Sequence, residues 1–375
     1  MTLDELRRYA VARSLFPPTD LVNAIRTLGY VQADPIRAPA RAQDLILRHR
    51  VKDYRVDDLE RHYPNLPLIE DTIYNYGFFH RETRALLHPR RLSAHAMAFM
   101  QSHATLRRNI LRYLAANPVA HPREIESAVG DGARVNGWGG SSSAATMMLE
   151  CLHKQGKLHV CRRDAGIKVY SLVDDDQAAL RRTSAARADQ LIRLVVNLYA
   201  PMAEKSLMPI IRGMGRYRPG ADFIRRFERL IRSGELRRKT IDGLAYVWPA
   251  DEHIPTEIDD SVRFLAPFDP VVWDRTRFEH LWGWAYRFEA YTPPPKRKLG
   301  YYALPLLWRE HVIGWANVNA KSAKLDVQLG FAKKQTLRGH TARFNSCLAS
   351  ETETFRQFLL EPAPSAPSIP SASRP

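Results

Sequence analysis

A pattern that occurs twice is what most constrains this chain. Leu106, Ile110, Leu111 and Leu114 mark a first helix, His121 to Val129 a second ended by Gly130, and Ser141-Ser142-Ser143 caps a third that runs to about Lys154. GKLHVCRRDAGIKVYSLV then gives two alternating strands joined at Asp164-Ala165-Gly166, a tight hairpin signal. The order returns with helices over Ala188 to Leu198, Ser206 to Met214 and Ala221 to Ser233, followed by GELRRKTIDGLAYVWP. Gly156-Lys157-Leu158 aligns with Gly234-Glu235-Leu236, and each is followed by basic residues, a turn glycine (166 and 243) and an aromatic-valine strand. That is an internal repeat. Three helices and a β-hairpin form the winged-helix order, which serves major-groove binding and also protein docking.

The flanking segments extend this plan. Thr2 and Glu5 have capping-box spacing, and a helical period runs to Pro17-Pro18. Asp20 caps a short helix, Leu21 to Leu28, closed by Gly29, with further helices over Gln43 to Arg48 and Val56 to Tyr63. These N-terminal helices read as a more divergent copy. From about Arg263 the chain turns aromatic, then alternates over Tyr301 to Trp308, Val312 to Ala320 and Lys324 to Leu329, before a helix over Thr341 to Leu359. The expected fold is mostly α with β (α+β). It has winged-helix modules over 1–100, 101–180 and 181–255, then a β-rich, barrel-like unit with a terminal helix over 256–360. The tail, 361–375, is low in complexity and expected to be disordered. Gly137-Trp138-Gly139-Gly140 matches no complete phosphate-binding fingerprint and reads as a loop or a backbone approach to DNA.

Charge narrows the partner. Fifty-six Lys and Arg oppose 40 Asp and Glu, giving +16, with arginine dominant. A field of that sign attracts polyanions, and guanidinium groups suit phosphate oxygens. There is no 18-residue apolar run, so no membrane partner is expected, and MTLDELRRY is not a secretory leader. Three scattered cysteines make neither a disulfide frame nor a zinc site. A reducing cytoplasm follows, with the bacterial nucleoid as the expected location. No metal-ligand spacing, P-loop, nucleophile elbow or kinase signature occurs, so neither metal nor cofactor is expected. His49, His62 and His80 read as surface or interface residues, and Asp269 and Asp274, flanking Pro270 and Trp273, as structural turn residues.

What remains for chemistry is Gln32-Ala33-Asp34-Pro35. In an extended backbone Gln32 and Asp34 point to the same side, and Pro35 keeps Asp34 out of the helical region. Such a pair can grip and polarise one water; an Asp before a proline can equally bond its own backbone in a turn. On a basic, DNA-shaped scaffold, so spare a site suits cleavage of an N-glycosidic bond. One carboxylate stabilises an oxocarbenium ion and helps deprotonate water, and a cationic alkylated purine leaves with little acid assistance. Arg37, Arg41, Arg48, Arg50 and Lys52 make the following segment strongly basic, a setting for a carboxylate beside a phosphate backbone or simply a solvated helical face. The expected phosphate contacts are Arg37, Arg41, Arg162, Arg163, Lys296 and Arg297.

Three blocks then carry a resemblance: GYVQADPIRAPARAQDLILRHRV; RVNGWGGSSSAATMMLECLHKQGKL with GIKVYSL; and FLAPFDPVVWDRTRFEHLWGWAYRFEAYTPPPKRKLGYYALPLLW. In this order, over nearly the whole chain except the tail, they resemble the winged-helix DNA glycosylases of the AlkZ/YcaQ-like type. The resemblance implies three tandem winged helices and a C-terminal β-rich unit forming a concave DNA-binding surface. It implies a Gln-x-Gln or Gln-x-Asp catalytic motif, here Gln32-Ala33-Asp34, with Asp34 activating water and Gln32 orienting it. No lysine nucleophile is implied, so the enzyme would be monofunctional. It would act, as an expected monomer, on alkylated purines and interstrand crosslinks in duplex DNA, without a tight flipping pocket. The family's middle position is usually bulkier and aliphatic, and Ala33 departs from it in a way that bears on lesion preference. The competing reading is a non-catalytic winged-helix transcriptional regulator; a metal-dependent nuclease lacks the acidic cluster it would need.

Overall fold

A computed structural model describes residues 1–130, 133–135, 141–173, 184–217, 219–253, 257–321, 324–333 and 340–361. Gly137-Trp138-Gly139-Gly140 and nearly all of the proline-serine tail lie outside the described residues.

The fold is α+β. Leu3–Ser14 begins with the expected capping box, in which Thr2 accepts from the Glu5 N–H and Glu5 accepts from the Thr2 N–H. Leu21–Leu28 is capped by Asp20 and stopped by Gly29, whose φ of 75° suits a residue without a Cβ. The chain then extends as Val31–Gln32, an edge strand of a three-stranded antiparallel sheet. Tyr76–His80 is the central strand, and Leu68–Thr72 lies beyond it. Val31 sits opposite Phe78 and Gln32 opposite Gly77. No local signal marks these two partner strands in the amino-acid sequence. Gly77 is required for the pairing, because a Cβ there would lie 2.2 Å from the Val31 carbonyl oxygen and 2.3 Å from the Tyr30 ring.

Helices Ala104–Ala116, Pro122–Val129 and Ala144–Lys154 precede the hairpin Leu158–Asp164/Ile167–Leu172, and Ser143 accepts from the Thr146 N–H as a cap. Helices Ser184–Tyr199, Glu204–Gly213 and Phe223–Arg232 precede Leu236–Ile241/Leu244–Pro249, to which the short strand Met202–Ala203 adds. The two turns share one backbone conformation. Ala165 and Gly166 have φ of 49° and 84°, Asp242 and Gly243 44° and 82°. Two consecutive positive φ values match the right-handed twist of the flanking strands. The C-terminal strands Val262–Phe264, Leu304–Trp308, His311–Lys321 and Lys324–Phe331 pair in that order as a curled half-barrel, and Thr341–Leu360 packs Phe344, Phe355 and Phe358 into the core.

These units share a core. One apolar cluster contains Val31 and Leu45, Leu106 and Leu149, and Leu306 and Phe355. Buried charge also ties distant segments together. Arg50 is 0% exposed and binds both carboxylate oxygens of Asp269 at 2.8 and 3.0 Å, plus the carbonyls of Ser14 and Ile46 at 2.7 Å each. Arg48 pairs with Glu351 at 2.8 Å. The basic run after Asp34 is therefore not one solvated face, since two of its arginines point into the protein. His80 is likewise buried rather than superficial, with Arg26 at 2.9 Å. Among the described residues no helix is long and apolar enough to cross a membrane, and no group of His, Cys, Asp and Glu is placed to hold a metal ion.

Candidate active site

Gln32 is buried at the end of the edge strand, and its side-chain orientation is fixed by two donors. The indole N–H of Trp273 donates to Oε1 at 3.1 Å, and the Asn75 amide donates to the same oxygen at 3.0 Å. An indole can only donate, so the atom facing it must be the oxygen. With Oε1 occupied twice, the Gln32 N–H2 group is the part left to act on a ligand, and it acts as a donor.

Asp34 is half-buried, two residues further along the same extended backbone, which the bond from the Ala33 N–H to the Tyr76 carbonyl prolongs by one residue. Its Oδ1 accepts from the Ile36 N–H at 2.9 Å, so the turn role and a chemical role divide between the two oxygens. Oδ2 receives no hydrogen bond from the described residues. Buried Gln43 accepts from the Asp34 N–H at 3.3 Å. Burial raises the Asp34 pKa, and the single bond from Ile36 opposes that more weakly. A carboxylate of raised basicity beside an amide donor can take a proton from a water whose oxygen the amide holds.

The third wall comes from the other end of the chain. Tyr302 is buried in the apolar cluster that includes Val31 and flanks Ala33 and Ile36, and its hydroxyl finds no partner among the described residues. After burial, the charge of Asp34 is the strongest influence holding that hydroxyl protonated. A buried hydroxyl without a partner is expensive, and a bound water is the usual remedy.

Asp269 and Asp274 have structural roles, and both bear on the site. Asp269 accepts from the Val271 N–H and caps Pro270–Trp273, the short helix that carries Trp273; Arg50 holds the carboxylate in turn. Asp274 caps Arg275–Trp282 and binds the Ala203 N–H at 2.8 Å. Sequence reading missed Asn75, Trp273, Gln43 and Gly77 as parts of the site. Only Trp273 had a local signal, its place in the aromatic FDPVVWDR stretch.

The basic candidates differ in availability. Arg37 is 46% exposed and binds Asp57 at 2.9 Å, and Arg162, also exposed, binds Asp164 at 2.9 and 3.0 Å. Lys296 is exposed on the short turn Pro294–Lys296, while Arg297 stacks over Tyr301 at 5.0 Å and donates to the Thr292 carbonyl. Arg41 is mostly buried against Glu60. Arg163 is largely committed inside the protein, donating to both oxygens of buried Glu70 at 3.0 Å and to the Gly166 carbonyl at 2.9 Å.

An amide at the end of a strand, fixed by two donors, and a carboxylate two residues beyond it stand on a basic α+β scaffold. A family model described as DNA glycosylase AlkZ-like matches residues 25–358, which takes in Gln32, Asp34, Asn75, Trp273 and Tyr302. The chain therefore belongs to the AlkZ-like DNA glycosylase family.

Proposed function

We propose that this protein is a monofunctional DNA glycosylase that hydrolyses the N-glycosidic bond of alkylated purines and unhooks interstrand crosslinks joined through them. An N7-alkylated purine carries positive charge, so as its bond to C1′ breaks the base departs neutral and the sugar becomes an oxocarbenium ion. The Asp34 carboxylate stabilises that cation and takes a proton from water; the Gln32 N–H2 donates to the water oxygen, which attacks C1′. The products are the free base, an abasic site and a proton on Asp34. The observation that carries this reading is the orientation of Gln32, whose oxygen is doubly occupied so that its amide is left as a donor, two residues before a half-buried carboxylate.

The scaffold reading that accompanies it is three winged-helix modules over 1–100, 101–180 and 181–255, then the β-rich unit over 256–360. The two hairpins with matching turns support it. Phosphate contacts fall first to Arg37, Arg162, Lys296 and Arg297, which are the more accessible, while Arg41 and Arg163 contribute charge near the middle hairpin. The test is release of 7-methylguanine from methylated duplex DNA, together with unhooking of a nitrogen-mustard crosslink, by wild type, Asp34→Asn and Gln32→Ala. Release by wild type and its collapse in both variants at near-constant DNA affinity is expected. Sequence-specific binding with no base released would make the protein a regulator; release without unhooking would restrict it to monoadducts.

A further inference from the structure

The turn between strands Leu68–Thr72 and Tyr76–His80 has a use beyond holding Gln32. Ile73 is buried and Asn75 is bound to Gln32, yet Tyr74 between them is 50% exposed. Its ring is firmly mounted, packing edge-on to Trp273 with centroids 5.6 Å apart; Trp273 in turn stacks on buried Tyr199 at 4.0 Å. A half-exposed aromatic on a rigid layered support loses little freedom when a flat partner covers it.

Two residues earlier, Thr72 forms a wall of a cleft of about 410 Å³, which Arg90, Arg91, Lys154 and Arg216 also line without any carboxylate. Arg90 is occupied in building it, donating to the carbonyls of Thr72 and Lys154 at 2.8 and 3.0 Å and pairing with Asp71 at 2.9 Å. Tyr217 steadies the same turn, its hydroxyl shared between the Thr72 and Ile73 carbonyls at 2.9 and 2.6 Å. Arg91 and Arg216 are exposed and tied backbone to backbone at 2.8 Å. Arg216 donates its Nε–H to the Gly213 carbonyl, and the Arg91 guanidinium has no hydrogen-bond or charged partner among the described residues. Two guanidinium groups with open donors, in a cleft walled by the residue two before an aromatic platform on the same turn, match the two ends of one nucleotide.

We propose that this turn and cleft form a nucleotide subsite, in which Tyr74 stacks on an unpaired base next to the nucleotide at Gln32 and Arg91 and Arg216 take its phosphodiester. Which nucleotide is held rests on the glycosylase reading; stacking and phosphate binding do not.

The test uses the full chain and a duplex with 2-aminopurine beside an abasic-site analogue. Wild type and Tyr74→Phe should alter the 2-aminopurine emission on binding, and Tyr74→Ala should abolish that change and weaken binding about fivefold or more. Arg91→Ala with Arg216→Ala should lower the slope of log affinity against log salt by about one, the value for one phosphate. Phe331→Ala, an exposed aromatic on the C-terminal sheet, should change neither. An unaltered emission change in Tyr74→Ala, or an unaltered salt slope in the arginine variant, would overturn the proposal. So would calorimetry in which inorganic phosphate binds wild type, and loses that binding in the arginine variant, while the DNA slope stays the same. That result would mark a free-anion site. If wild type alters the emission but releases no base, the subsite stands and the glycosylase reading falls.

Discussion

Trp273 donates its indole N–H to the side-chain oxygen of Gln32 across 241 residues of chain. Replacing Trp273 by Phe keeps an aromatic ring against Tyr199 and removes the donor. Gln32 is then held by Asn75 alone, and its amide can turn. Base release should fall by about tenfold to a hundredfold, a loss of roughly 1.4–2.8 kcal/mol in transition-state stabilisation, while DNA affinity stays within about threefold. Single-turnover release alongside fluorescence anisotropy separates the two quantities. A parallel loss of affinity would mean that Trp273 serves binding instead.

Asp34 sets a pH dependence. In the proposed mechanism a water gives its proton to the charged carboxylate, and burial raises the pKa above the ordinary value for aspartate. The rate should therefore rise with pH through an acid limb lying above about 3.9, where an exposed aspartate would put it. Stability runs the other way. A group whose folded pKa is raised holds its proton more tightly in the fold, so its contribution is complete below the unfolded pKa and is lost as pH rises through the folded one. Asp34→Asn should flatten the rate profile near zero without weakening the fold at neutral pH. An acid limb that survives in this variant would assign the titration to another group.

Asp44, one residue beyond Gln43, gives a purely thermodynamic test. Burial pushes its pKa up to about 6. The fold thus keeps a proton that the unfolded chain loses near pH 4, and stability falls as pH rises from there to about 6. Tyr54 and the Asp57 N–H both donate to Oδ1, at 2.7 and 3.2 Å, and an asparagine oxygen can accept both. Asp44→Asn should be more stable than wild type at pH 7, by at most about 3 kcal/mol, with the difference vanishing below pH 4. Urea unfolding at the two pH values measures it.

Arg50→Met should cost roughly 3–5 kcal/mol, because it leaves Asp269 charged and buried without its partner. Any protein that still folds should also lose base release, since Asp269 caps the helix that presents Trp273. Guanidinium chloride midpoints and the release rate should therefore move together. Unchanged activity in folded Arg50→Met would break the link from Arg50 to Gln32.

Local signals made part of this molecule legible. Asp20 and Gly29 bracket a helix by cap and left-handed stop, and the two Gly-bearing hairpin turns follow from backbone chemistry that neighbouring residues supply. The sheet under Gln32 stayed hidden for a physical reason. In Tyr76-Gly77-Phe78-Phe79-His80 the four residues after Tyr76 are all buried, so apolar and polar residues do not alternate, and Gly77 reads as a breaker when it is in fact a close approach. Leu68–Thr72 carries buried Glu70 and Asp71, whose charged partners Arg163 and Arg90 and hydrogen-bonding partner His88 lie elsewhere in the chain. The same blindness to distant partners left Arg48 and Arg50 as members of one basic run, though Glu351 and Asp269 claim them. Gln32 and Asp34 could be nominated from spacing; the groups that aim them could not.

The bond between Gln32 and Trp273 also bears on synthesis. A ribosome delivers Gln32 and Asp34 some 240 residues before the helix that orients the amide. On the reading proposed above, a nascent or truncated chain carries the motif without the means to aim a water. Competence then arrives only when the C-terminal half-barrel has docked. Grafting the Gln-x-Asp segment onto another DNA-binding domain would transfer its letters and leave its chemistry behind.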